Sequence, residues 1–173
     1  MNGKEKRIIA LDYSSQEEAL ALVGVLGEEA AYYKVGMELF YSSGGDIVRH
    51  LKAAGKKVFL DLKLHDIPNT AAKGLGALTR LGADMLNVHA SGGLEMMRRA
   101  GEVVAEEALR CGMQAPVVLA VTVLTSIGGD EWARLGQVEP VNKAVLRLAQ
   151  LTQEAGLQGV VASPQEAAAI RQA

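Results

Sequence analysis

Residues 59–70 read FLDLKLHDIPNT. Asp61 and Lys63 stand two positions apart in an otherwise apolar run, and His65, Asp66 and Pro68 follow at once. A lone charge is costly to remove from water, and a buried pair is tolerable only when its members are well matched. If the run is a strand, alternate residues share a face. Phe59, Asp61 and Lys63 then point one way, and Leu60, Leu62 and Leu64 the other. An acid and an ammonium fixed side by side and facing a cavity can stabilise developing charge and move a proton. Taken alone, the pair also reads as a structural salt bridge at a strand end. Asp12 and Lys34, which close the first two apolar runs, favour a site. With them the charges alternate as Asp12, Lys34, Asp61, Lys63, and each has an opposite neighbour.

The elements that must carry these residues repeat. A helix, an Ala/Leu-Gly break and a short apolar strand recur in LKAAGKKVFLDL (51–62), TRLGADMLNVH (79–89) and QEAGLQGVVAS (153–163). Glycine closes a helix because it takes the left-handed conformation without a Cβ clash. The near-continuous apolar runs are those of strands buried on both faces. Strands are predicted at Arg7–Leu11, Ala31–Val35, Lys57–Leu62, Met85–Val88, Val117–Thr122 and Gly159–Ala162, with helices between them. Ser15-Gln-Glu-Glu18 and Ser163-Pro-Gln-Glu166 read as capping boxes, the second with proline at the first helical position.

Such βα units build either an open doubly wound sheet or a (β/α)8 barrel. The first strand ends in Asp12-Tyr-Ser-Ser, without the glycine-rich phosphate motif that usually marks an open nucleotide-binding sheet. Polar residues instead end successive strands: Asp12, Lys34, Asp61 with Lys63, His89 and Thr122. Barrel enzymes build their sites at that end. The fold expected is α/β, a (β/α)8 barrel of which about six βα units are present. Residues 1–173 read as a single barrel domain lacking the last two units.

Composition bounds the rest. Of 173 residues, 49% are hydrophobic and 4% aromatic, which suits an Ala/Leu/Val-rich α/β protein. A net charge of −2 gives no electrostatic case for nucleic acid. Cys111 is the only cysteine, so no internal disulfide can form and a reducing, cytoplasmic setting is expected. The charged MNGKEKR start is followed by an IIAL run too short for a signal peptide, and no stretch approaches the roughly 18 apolar residues of a membrane span.

D-x-K-x-x-D, here Asp61, Lys63 and Asp66 within LDLKLHDIPNT, resembles the signature of the orotidine 5′-phosphate decarboxylases. The likeness extends to ALD with Asp12, YKVG with Lys34, NVHASGG from Asn87, and AVTVLTS with Thr125. It implies cofactor-independent loss of carbon dioxide from C6 of orotidine monophosphate, giving uridine monophosphate in de novo pyrimidine synthesis, with no metal, pyridoxal or thiamin. Lys63 would stabilise and protonate the C6 carbanion, and Asp61 would lie near the substrate carboxylate. Asp12 and Lys34 would meet ribose hydroxyls, Lys34 completing the catalytic charge array, and Thr125 would address the pyrimidine edge. Asp66, Ile67 and Thr70 would reach into the site of a partner subunit, because the family forms homodimers with shared sites.

The resemblance also implies that the phosphate is held by the last two βα loops, which have no counterpart among these residues. A metal-dependent sugar-phosphate decarboxylase or synthase sharing D-x-K-x-x-D, and a catalytically incompetent fragment, are the competing readings. His65, Asp66 and His89 match no common metal-ligand spacing. Ser91-Gly92-Gly93 reads as a tight strand-to-helix turn. Cys111 has no nearby activating group, and Trp132 is either a lid element or a packing anchor.

Overall fold

A computed structural model describes residues 7–173; the charged start weighed against a signal peptide lies largely outside them, at residues 1–6. Six strands form one sheet in the sequential order β1-β2-β3-β4-β5-β6. They are β1 (Ile9–Leu11), β2 (Tyr32–Gly36), β3 (Lys57–Leu64), β4 (Met85–His89), β5 (Val117–Val121) and β6 (Gly159–Val161). The helices are α1 (Gln16–Leu26), α2 (Met37–Ser43), α3 (Asp46–Ala53), α4 (Pro68–Arg80), α5 (Leu94–Arg110), α6 (Gly129–Arg134), α7 (Val141–Glu154) and α8 (Ala167–Gln172). The strands are parallel, and their order never reverses. A doubly wound sheet would reverse at a switch point, whereas consecutive βα units of a (β/α)8 barrel follow each other in this way.

All six predicted strands form, with ends shifted by a residue or two. The shifts of two residues are at β1, which starts at Ile9 instead of Arg7, and at β3, which runs on to Leu64 instead of stopping at Leu62. Between β2 and β3 the chain makes two helices, broken at Gly44, whose φ of 62° is open to glycine and few other residues. Among the described residues no helix is long and apolar enough to cross a membrane.

The chain divides into two compact units. The first holds the described residues up to Leu62 together with Leu75–Leu86 and Val104–Pro116. Its parallel register pairs Ala10 with Lys34 and Leu11 with Val35, then Lys34 with Phe59 and Gly36 with Asp61. Leu11, Val35, Leu39, Ile47, Leu51 and Leu60 are almost wholly buried. On α3 the stripe Ile47, Val48 and Leu51 faces this core, as helical spacing requires. Asp84, just before β4, accepts from Lys52 Nζ at 2.8 and 2.6 Å and from the Val58 N–H at 2.8 Å. That carboxylate ties α3 to the start of β3. Buried Lys56 donates to the Gly27 carbonyl at 2.7 Å, closing the turn after α1.

The second unit holds Lys63–Gly74, Asn87–Val103 and Val117–Ala173. Strand β5 pairs with β6 through Leu119 with Gly159, Ala120 with Val160 and Val121 with Val161. Helix α7 buries Ala144, Val145, Leu148 and Thr152. The Thr152 hydroxyl donates to the Leu148 carbonyl at 2.8 Å, so a polar group is carried into the core with its bond made. Helix α4 closes tightly on the end of β3: a Cβ at Gly74 would stand 2.8 Å from Leu64 Cδ2. Leu64 thus faces a helix, as the alternation of β3 predicts.

Both capping serines act as caps. Ser163 makes the full box, its N–H donating to Glu166 Oε2 at 2.8 Å and its hydroxyl oxygen accepting the Gln165 N–H at 3.3 Å. At Ser15 the oxygen accepts the Glu18 N–H at 3.3 Å, and the hydroxyl donates to the Glu18 carboxylate at 3.1 Å.

Candidate active site

In the first unit the charges just after β1 and within β2 and β3 meet. Lys34 Nζ stands 3.0 Å from Asp12 Oδ1 and 3.7 Å from Asp61 Oδ2. The register explains how one lysine reaches both. Asp61 pairs with Gly36, and Asp12 lies one residue beyond the pairing of Leu11 with Val35. At the level of the two carboxylates β2 therefore carries no side chain. The Lys34 stem, two residues lower on β2, extends into that space. A Cβ placed on Gly36 would lie 3.4 Å from Lys34 Nζ and 3.9 Å from Asp12 Oδ1. The environments of the acids differ: the Asp61 side chain is 14% exposed and that of Asp12 72%. Asp12 is open to an incoming hydroxyl, and Asp61 is set back from solvent.

In the second unit Lys63 has a φ of 50°, the one non-glycine residue at positive φ among the described residues. For a lysine that conformation costs about 1–3 kcal/mol and persists only where its surroundings enforce it. Its N–H donates at 2.8 Å to Oδ1 of Asn87, a polar side chain on β4 that is 1% exposed. The extended backbone expected along β3 is therefore interrupted at Lys63.

Beyond Leu64 the chain turns. Asp66 is exposed, and its Oδ1 accepts the Ile67 N–H at 2.7 Å. Ile67 is 67% exposed, an unusual state for an isoleucine beside a site. Pro68 opens α4, and Thr70 lies exposed in its first turn. Thr125 lies exposed in the turn after β5. The structure thus brings Asp12, Lys34 and Asp61 together, and leaves Asp66, Ile67, Thr70 and Thr125 displayed on the surface of the second unit.

The rings of His65 and His89 lie 5.3 Å apart, tilted by 39°. Among the described residues no group of three or more His, Cys, Asp or Glu is placed to hold a metal ion. Trp132 is an anchor: its indole N–H donates to the Glu139 carbonyl at 2.7 Å, fastening α6 to the loop before α7. Gly36 in the first unit and Asn87 in the second carry no role in the sequence reading. Both lie inside the family-like strings YKVG and NVHASGG, and that place is the only signal the sequence offers for them.

The family model described as orotidine 5′-phosphate decarboxylase / HUMPS family matches residues 6–173. The chain belongs to that family. Among curated relatives, the orotidine 5′-phosphate decarboxylase of Carboxydothermus hydrogenoformans is 49% identical over 96% of this chain and 69% of the relative. That of Moorella thermoacetica is 48% identical over 100% of this chain and 69% of the relative. Among solved structures, an uncharacterized conserved protein from Geobacillus kaustophilus superposes with a TM-score of 0.90 at 43% identity, covering 95% of this chain and 77% of that one. The orotidine 5′-phosphate decarboxylase of Lactobacillus acidophilus gives 0.89 at 38% identity, covering 95% and 74%. Family membership makes this an α/β chain carrying about six units of the (β/α)8 barrel.

Proposed function

We propose that the protein decarboxylates orotidine 5′-monophosphate to uridine 5′-monophosphate, a step of de novo pyrimidine synthesis. The observation that carries the proposal is the D-x-K-x-x-D motif in a family member, with its lysine held in a strained backbone conformation. Such strain gathers where function needs a group fixed in place. The C6–carboxylate bond breaks, carbon dioxide leaves, and the electron pair remains on C6. The Lys63 ammonium stabilises that charge as it develops and then gives C6 a proton, ending as a neutral amine. An ammonium suits both tasks, being a compact charge with exchangeable protons. No electron acceptor is required, because the pair left on carbon is used by the proton.

Asp61 lies near the departing carboxylate, and its low exposure keeps its charge from being quenched by water. Asp12 and Lys34 bind ribose hydroxyls, for which the exposure of Asp12 leaves room. Thr125 addresses the pyrimidine edge. Asp66, Ile67 and Thr70 serve the site of a second copy in a homodimer, a reading supported by their exposure on one turn. The phosphate is held by the last two βα loops of the family's barrel domain.

The test is turnover of orotidine monophosphate by full-length protein, with and without EDTA, beside Lys63→Ala. Activity indifferent to chelation and abolished in Lys63→Ala, with uridine monophosphate still bound, is the expected result. Loss with EDTA and return with magnesium would assign the protein to the metal-dependent chemistry that shares the motif. Turnover by Lys63→Ala within about tenfold of wild type would exclude Lys63 as the acid, since general acid catalysis is worth about 10²-fold or more.

A further inference from the structure

The lysine proposed to protonate C6 is held by a group that takes no part in the chemistry. Lys63 is the one non-glycine residue among those described with φ above zero, at 50°. A left-handed residue turns its Cβ away from the direction a regular strand would give it. The place reached by the ammonium, at the end of a four-carbon stem, is therefore set at the backbone. What meets that backbone is Asn87 Oδ1, 2.8 Å from the Lys63 N–H and 24 residues away in sequence. Asn87 is 1% exposed, so water does not compete for the bond. A buried acceptor also leaves a donor uncompensated if it is removed. The bond thus both permits the strained conformation and opposes its relaxation.

We infer that Asn87 is a positioning residue for catalysis: by accepting the Lys63 N–H it holds the backbone conformation that aims the ammonium at the reacting carbon. The inference rests on the decarboxylase reading. Asn87 touches no substrate in this role and acts only through Lys63. Its removal should therefore lower turnover and leave substrate binding nearly unchanged.

The experiment compares kcat, KM and thermal stability for four full-length proteins: wild type, Asn87→Ala, Asn87→Asp and Val88→Ala. Val88 is a wholly buried apolar neighbour on β4 outside the site, and its truncation reports the effect of lost stability alone. Asn87→Ala should lose about 10²-fold in kcat, the size expected when a reacting group is displaced by about an ångström. Its KM should stay within about threefold of wild type, since the interaction lost is one used in the transition state. Asn87→Asp keeps an acceptor oxygen at the same place and should recover most of the loss. Val88→Ala should keep wild-type kcat while melting earlier. If Asn87→Ala does not fold, Asn87→Ser replaces it with the same expected loss, because its shorter oxygen falls short of the N–H. An Asn87→Ala or Asn87→Ser enzyme with wild-type kcat overturns the inference, and so does a Val88→Ala enzyme that loses as much. Wild-type protein that fails to turn over orotidine monophosphate is a different failure, that of the decarboxylase reading, and is seen before any variant is assayed.

Discussion

Gly36 lies directly opposite Asp61 in the register of β2 and β3, and that pairing decides what Lys34 can touch. Any side chain at Gly36 would occupy the level at which the Asp12 and Asp61 carboxylates receive the ammonium. The backbone of Gly36, at φ −85°, is one that other residues adopt readily. What the position limits is the size of a side chain beyond a methyl, and not the backbone conformation.

Gly36→Ala and Gly36→Leu should therefore both fold, while differing in function. The added methyl meets Lys34 Nζ at 3.4 Å, a separation the long lysine can accommodate. A leucine cannot be placed without displacing the ammonium from one or both carboxylates. Gly36→Leu should raise KM for orotidine monophosphate about tenfold or more, as charge-assisted bonds to the substrate are lost. Steady-state kinetics with a melting curve on each variant checks this. Equal KM in wild type and Gly36→Leu would show that the Lys34 position is not used in binding.

Site sharing between subunits is open to a complementation test. Asp66 lies two residues past the end of β3, on an exposed turn with Ile67 beside it. Full-length Lys63→Ala and Asp66→Ala proteins should each be inactive, and activity should reappear when they are mixed under conditions of subunit exchange. In a mixed dimer the subunit that keeps Lys63 receives an intact Asp66 from its partner. If Asp66 acts within its own chain, every site remains defective and nothing is recovered, even with exchange demonstrated by mass or fluorescence.

Stability depends on a carboxylate far from this chemistry in sequence. Asp84 accepts two bonds from Lys52 and one from the Val58 N–H. Asp84→Ala leaves that N–H and the ammonium without their acceptor and should cost about 1–3 kcal/mol. Asp84→Asn keeps an acceptor and should cost less. Urea titration of both variants gives the ordering, and a reversed order would mean that the charge is more important than the geometry.

Alkaline pH should destabilise the first unit through its tyrosines. Burial, reinforced by the Asp84 carboxylate, pushes the Tyr32 phenol well above its ordinary range. Burial, with a smaller effect from Glu28, raises that of Tyr33, whose hydroxyl has no hydrogen-bond partner among the described residues. Both phenols hold their protons more tightly folded than unfolded. Their contribution is fully present below the unfolded pKa of about 10 and is lost as pH rises towards the folded values. Near-ultraviolet phenolate absorbance should show these two of the four tyrosines ionising only as the fold opens. Tyr32→Phe should flatten the alkaline decline in stability.

The strands and their order were legible because each is a short apolar run ended by a polar or glycine residue, and parallel strands buried on both faces leave such runs. The Ser163 box was equally clear, since its serine, proline and glutamate act on neighbours in the chain. Asp12, Lys34, Asp61 and Lys63 could be grouped because they lie near the ends of successive apolar runs; in the structure Lys34 Nζ stands 3.0 Å from Asp12 and 3.7 Å from Asp61. The conformation of Lys63 could not be read in this way. Lysine has no preference for positive φ, and the group that accepts its N–H comes from the next strand. Asn87 was hidden for the same reason: an amide between Leu86 and Val88 in a short strand says nothing of what it bonds. The role of Gly36 required the register, which a sequence does not state.

Trp132 is the only tryptophan in the sequence, and its indole N–H is fixed on the Glu139 carbonyl. The tryptophan emission of the protein, excited beyond the tyrosine band, therefore comes from one place, the segment joining β5 to α7. Its colour reports whether that indole is still bonded to the main chain or has been released to water. Because the segment follows the turn that carries Thr125, the same light would register, without any label being attached, a ligand that disturbs this turn.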